Sequence, residues 1–101
     1  FGPIGPYLVT RDEVEDPQNL NLWLELNGQR VQEGNTSTMI HKVFFTISYL
    51  SQFMSLQPGD IISTGTPPGV GSGMNPPTYL KAGDSMKLGI EGLGEQSQDV
   101  A

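Results

Sequence analysis

The side chains best placed to do chemistry are Thr64 and Thr66, on either side of Gly65. They lie in the run Leu56-Gln57-Pro58-Gly59-Asp60-Ile61-Ile62-Ser63-Thr64-Gly65-Thr66-Pro67-Pro68-Gly69-Val70-Gly71-Ser72-Gly73. A hydroxyl both donates and accepts hydrogen bonds, so a pair of them where a strand gives way to a loop can hold a small anionic or carbonyl substrate. Gly65 permits positive φ and close backbone approach, while Pro67 and Pro68 restrict φ and stiffen the loop. The run predicts a turn at Pro58-Gly59, a short apolar strand over Asp60 to Ser63, and then a loop that presents the hydroxyls. Phosphate-cradling readings fail here. Gly69-Val70-Gly71-Ser72-Gly73 lacks the G-x-G-x-x-G spacing, no helical pattern follows it, and no Gly-Lys-Ser/Thr ending occurs.

Other reactive side chains are sparse. His41 is the sole histidine, which invites a general-base reading. No carboxylate stands close to it in sequence, so it reads as a surface residue on the flank of a helix. Glu13 and Glu15 at i, i+2 could share one face of a strand and hold a cation. They sit among other acids and abut Pro17, which favours a solvated loop. Asp60 and Asp84 each close a similar turn, Leu56-Gln57-Pro58-Gly59-Asp60 and Leu80-Lys81-Ala82-Gly83-Asp84, and read as turn residues bonding nearby backbone amides rather than as metal ligands.

The elements that must position these groups are mostly strands. Tyr7-Leu8-Val9 reads as a short strand or extended segment. Leu20, Leu22, Leu24 and Leu26 alternate with polar residues and Trp23, a period of two. Asn27-Gly28 follows at once, the hairpin turn whose two positions need positive φ. Gln29 to Glu33 returns as the second strand, and Trp23 faces away from the leucines, to pack on another element or subunit. Asn35-Thr36-Ser37-Thr38 offers helix-capping groups. Beyond it Ile40, Val43, Phe44, Ile47, Leu50 and Met54 recur at helical steps, predicting an amphipathic helix to about Ser55. Met86, Leu88 and Ile90 mark a further strand, and Leu93 to Val100 a last one.

The 101 residues carry a net charge of −6 with a pI near 4.4, which argues against nucleic acid or an anionic membrane as partner. With no cysteine, a disulfide scaffold and a thiolate zinc site are both excluded. No apolar run spans a bilayer and no signal-peptide pattern opens the chain, so a cytoplasmic location is expected. The first residue is Phe1, and Phe1-Gly2-Pro3-Ile4-Gly5-Pro6 reads as mid-chain sequence, so residues 1–101 are expected to be one segment of a single longer domain.

Taken in order, Gly5 to Thr10 (Gly-Pro-Tyr-Leu-Val-Thr), Asp16 to Leu20, the Asn27-Gly28 hairpin, Ser63 to Gly71 and Gly89 to Gly94 (Gly-Ile-Glu-Gly-Leu-Gly) resemble the fumarylacetoacetate hydrolase family. The resemblance runs over nearly the whole chain and corresponds to the C-terminal part of the catalytic domain. It implies a mainly β fold with one principal α-helix, an incomplete mixed β-roll, in a homodimer that holds magnesium or manganese by carboxylates. It further implies an enzyme acting on a 2-oxo or 2,4-dioxo acid by C–C bond hydrolysis, with a 2,4-diketo-3-deoxy sugar acid or a fumarylacetoacetate-like substrate. Relatives that isomerise or decarboxylate hydroxyhepta-diene-dioate, or that act as ureidoglycolate lyases, keep those alternatives open. So does a non-catalytic β-rich binding module.

Residue by residue, the resemblance assigns Thr66 to a substrate oxygen and Gly65 to close backbone approach. It assigns no catalytic acid or base here. The family's Glu-x-Glu and separate Asp have no matching positions, and its substrate-contacting lysine would precede Phe1. The metal ligands are therefore expected outside these residues, and this segment alone is expected to be inactive. The family pattern Gly-Asn-Thr-Ser-Asp-Met-Ile-Phe departs at Thr38, in place of Asp, and at His41, in place of Phe.

Overall fold

The computed structural model describes residues 2–101; Phe1, with which the Gly/Pro-rich opening begins, lies outside them. Strand β1 (Asn21–Leu26) turns directly into β2 (Gln29–Asn35). Asn27 at φ 51° and Gly28 at φ 80° occupy the left-handed region that the two-residue turn demands. Strands β3 (Ser85–Ile90) and β4 (Gly94–Asp99) complete one four-stranded sheet of order β2-β1-β3-β4. Every ladder in it is antiparallel. One principal helix, α1 (Val43–Leu50), lies between the hairpin and β3. Mainly β with a single principal α-helix is therefore the observed class.

One irregularity in the hairpin decides what its second strand displays. Glu25 pairs with Arg30, but Leu24 pairs with Gln32, so Val31 is an extra residue. A bulge of one residue reverses the inward and outward assignment of everything beyond it. Unbulged pairing would set Val31 opposite Leu24 and turn Gln32 outward. The bulge instead sets Gln32 beside Leu24 and Gly34 beside Leu22, on the leucine face of the sheet.

That face is only half covered. Leu22, Leu24, Leu26, Met86, Leu88 and Ile90 are all of intermediate exposure. Among the described residues no apolar side chain is fully buried, and the two buried polar ones are Gln32 at 8% and Asp84 at 6%. At the β4 side the Gly5–Tyr7 segment lies against the sheet. Gln96 donates to the Gly5 carbonyl, and a Cβ on Gly94 would meet Pro6 and the Tyr7 ring at 2.7–3.0 Å.

The opposite face is polar and centred on Trp23. Its indole lies over Gly89 and under two cations, with Arg30 4.4 Å and Lys87 5.7 Å from the ring centroid. Trp23 thus packs on its own sheet's neighbours.

Three expectations are corrected. The helix is eight residues, not the fifteen or so of the apolar pattern, and residues 51–54 form turns beyond it. Asn35 caps a short 3-10 turn at Thr36–Thr38, where its side chain accepts from Ser37 N, and does not cap α1. Asp60 to Ser63 forms no strand: this stretch pairs with none of the sheet's strands, and Ile61 is 72% exposed.

Candidate functional site

The Thr64–Gly73 loop begins at a turn built by a side chain. Asp60 Oδ2 accepts from Gln57 N at 2.8 Å, Asp60 N donates to Gln57 O at 3.1 Å, and Gly59 takes φ 97° between them. The sequence echo at Leu80 to Asp84 repeats the same arrangement: Asp84 Oδ2 accepts from Lys81 N at 3.0 Å, and Gly83 takes φ 90°. Both aspartates are turn residues, as read. Asp84 does more, because its Oδ1 accepts from Asn27 Nδ2 at 2.9 Å and ties the hairpin turn to the start of β3. The Asn27 amide, followed by the Lys81 backbone N–H, holds the Asp84 carboxyl below the usual carboxylate range.

From Gly65 (φ 94°) onward the loop is seated on β2. Gln32 Nε2 donates both to Thr66 Oγ1 at 2.9 Å and to the Pro67 carbonyl at 2.7 Å. The Pro67 ring lies on Gly34, where a Cβ would come within 2.9 Å of it. Gly69, at φ 107°, brings its backbone against the bulged Val31; a Cβ there would stand 2.0 Å from the Val31 carbonyl oxygen. The far end is closed on itself, with Thr78 N donating to Gly71 O at 2.9 Å.

Thr66 is exposed, with its oxygen fixed from below by Gln32. Thr64 and Gly65 are exposed beside it. Sequence reading missed Gln32, since simple alternation from the turn sends it outward. Two shallow depressions on the surface flank Trp23 instead, one including Arg30 and Glu33, the other Tyr7, Glu91 and Glu95. Neither includes Thr66.

The other candidates stay apart from this loop. His41 is exposed and stacks on Phe45 at 5.2 Å, beginning an aromatic row that continues through Tyr49 and Phe53 along α1. Thr38 Oγ1 donates to the Asn35 carbonyl at 2.9 Å, closing the short turn after β2. Glu13 and Glu15 are exposed around a 3-10 turn at Arg11–Glu13. Among the described residues no three His, Cys, Asp or Glu side chains converge, so these residues do not fit a divalent ion. Within the same residues no helix is long and apolar enough to cross a membrane.

Sequence reading also missed Gln18. Its Nε2 donates to Thr36 O at 2.7 Å, and its Oε1 accepts from Val43 N at 2.6 Å, the first residue of α1. It thereby fills one of the donor vacancies at the helix start from a position far back in the chain.

The fold recurs in solved structures and the sequence in curated proteins. A protein of Burkholderia multivorans, carried under a provisional hydrolase name, is 68% identical over 99 residues, which cover 97% of this chain and 35% of that protein. The solved structure of fumarylacetoacetate hydrolase from Exiguobacterium antarcticum superposes with a TM-score of 0.93 at 42% identity, over 97% of this chain and 35% of that one. The maleylpyruvate hydrolase of Sphingobium sp. SYK-6, solved with manganese(II) and pyruvate, gives 0.86 at 37% identity, over 96% and 34%. The chain therefore spans about 35% of the length of the curated relative it matches. The profile described as fumarylacetoacetate (FAA) hydrolase C-terminal matches residues 1–101. This chain belongs to the fumarylacetoacetate hydrolase family.

Proposed function

We propose that these residues form one wall of the active site of an enzyme that hydrolyses a C–C bond in a 2,4-dioxo acid. Thr66 binds a substrate oxygen there, and Gly65 lets the backbone come close. The observation that carries this reading is the seated loop, in which Gln32 anchors an exposed threonine hydroxyl against the sheet. The pyruvate bound by the maleylpyruvate hydrolase structure supports a 2-oxo acid as the ligand class.

In such a hydrolysis water adds to the distal carbonyl and the C3–C4 bond breaks. C4 leaves as a carboxylic acid, and C3 takes a proton to give the shorter 2-oxo acid. The part of Thr66 is to bind and orient, since no acid or base stands beside it among the contacts described. Magnesium or manganese is the ion we assign to the whole protein; residues 2–101 offer no cage for it. A homodimer belongs to the same proposal.

The test uses the full-length protein with acetylpyruvate, a simple 2,4-dioxo acid, and added magnesium. Absorbance follows loss of the enolic substrate and NMR identifies products. Pyruvate and acetate support hydrolysis. Released carbon dioxide, or a shifted double bond when an unsaturated hydroxy-dioate is supplied in its place, transfers the protein to the decarboxylase or isomerase reading. No chemistry on any 2-oxo acid favours the binding-module reading. Thr66→Val should lower kcat/KM about tenfold, the worth of one hydrogen bond to a charged oxygen, while the folded spectrum stays unchanged. Unaltered kinetics in that variant remove Thr66 from the site.

A further inference from the structure

We propose that Gln32 is a positioning residue that commits the Thr66 hydroxyl to act as a hydrogen-bond donor toward the substrate. This deepens the reading of Thr66 as a substrate contact and rests on it.

The Gln32 amide faces two oxygens at once. Its Nε2 lies 2.7 Å from the Pro67 carbonyl oxygen and 2.9 Å from Thr66 Oγ1. A backbone carbonyl only accepts, so the amide must turn its nitrogen, not its oxygen, to this pair. The NH2 group carries two hydrogens, one for each partner. Thr66 Oγ1 therefore receives a hydrogen from below and keeps its own. Among the described residues that hydrogen goes to no protein acceptor, and Thr66 is exposed on the outer side of the loop.

A threonine so held is matched to an oxygen that can only accept, such as a carboxylate or a 2-oxo oxygen. It is mismatched to a ligand amine or ammonium. Gln32 itself is buried at 8% exposure and placed there by the Val31 bulge, so the amide has little freedom to turn away.

The test measures pyruvate binding to the full-length protein by calorimetry in the presence of manganese, with thermal unfolding run alongside. Thr66→Val and Gln32→Leu should each weaken pyruvate about tenfold, and the double variant should also lose about tenfold rather than about a hundredfold, since residues acting as one unit are not additive. Gln32→Glu supplies a readout that simple packing does not move. At about pH 8 its carboxylate repels the Pro67 carbonyl and captures the Thr66 hydrogen, so pyruvate binding falls relative to wild type. Burial raises a carboxyl pKa, so the deficit should narrow toward about pH 5.5 as the group takes up a proton. That ratio also serves if Gln32→Leu fails to fold.

A loss on Thr66→Val with none on Gln32→Leu, a multiplied loss in the double variant, or a Gln32→Glu deficit that ignores pH overturns the role of Gln32 and leaves the site standing. Wild-type protein that does not bind pyruvate overturns the site and this inference together.

Discussion

Replacing Gly69 with alanine tests whether the loop is seated on β2 as described. Two separate costs meet at this residue. An L-residue at φ 107° is strained, by about 1–2 kcal/mol for left-handed backbone. Separately, the new methyl would stand 2.0 Å from the Val31 carbonyl oxygen, a backbone atom that cannot swing aside. The loop has to lift, and the nearest interactions to break are the two bonds from Gln32 to Thr66 and Pro67. At about 1 kcal/mol net for each hydrogen bond they add roughly 2 kcal/mol.

Gly59 provides the control, because its φ of 97° is similar and a Cβ there meets nothing within 4 Å. Gly59→Ala should therefore cost only the backbone strain, and Gly69→Ala about 2 kcal/mol more. In a domain of 150–250 residues each kcal/mol moves Tm by about 2–4 °C, so the two variants of the full-length protein should differ by about 4–8 °C. Hydrogen exchange across residues 64–70 should rise in Gly69→Ala alone. Equal melting temperatures and equal exchange in the two variants would refute the seated loop.

Gln18→Ala removes the acceptor for Val43 N and the donor to Thr36 O; the start of α1 should fray, at a cost of about 1 kcal/mol typical of a lost helix cap, read by exchange at Val43 and its neighbours. Asp84 has its folded pKa depressed by Asn27 and the Lys81 N–H, so its contribution to stability is present above the unfolded value and is lost as pH falls through the folded one. Asn27→Ala should move the Asp84 titration upward in carboxyl NMR and raise the pH at which acid unfolding begins; an unmoved titration contradicts the bond. Arg30→Ala strips the nearer cation from the only tryptophan, at a stability cost of about 0.5–1 kcal/mol. The Trp23 emission should shift to the red, and an unchanged spectrum denies the stacking.

What could be read from the sequence was whatever local geometry compels. Asn27-Gly28 has few places to be other than a tight turn, and the flanking leucine alternation then sets the hairpin. Gly59-Asp60 and Gly83-Asp84 likewise signalled turns whose carboxylates bond amides three residues back.

Where a distant partner decides the outcome, pattern misled. The apolar spacing of Ile40 to Met54 continues past the real helix, whose start is set by Gln18, twenty-five positions earlier than Val43. Ile61 and Ile62 have strand chemistry, but a strand needs a neighbouring ladder, and no strand of the sheet pairs with them. Gln32 was illegible for a sharper reason. A single inserted residue inverts the alternation that the turn sets, which by itself would send Gln32 toward solvent and Val31 toward the leucines.

That insertion has a consequence for the protein's solubility as well as its chemistry. Among the described residues β2 is an outermost strand, and an open strand edge invites another chain to add to it. Here the kink at Val31 breaks the regular row of amides and carbonyls, and the Gly69 backbone rests against that same carbonyl. The loop that carries Thr66 is thus also a guard rail along the sheet's border. Dislodging it would remove edge protection together with the proposed substrate contact, so damaged copies should be lost by clumping as well.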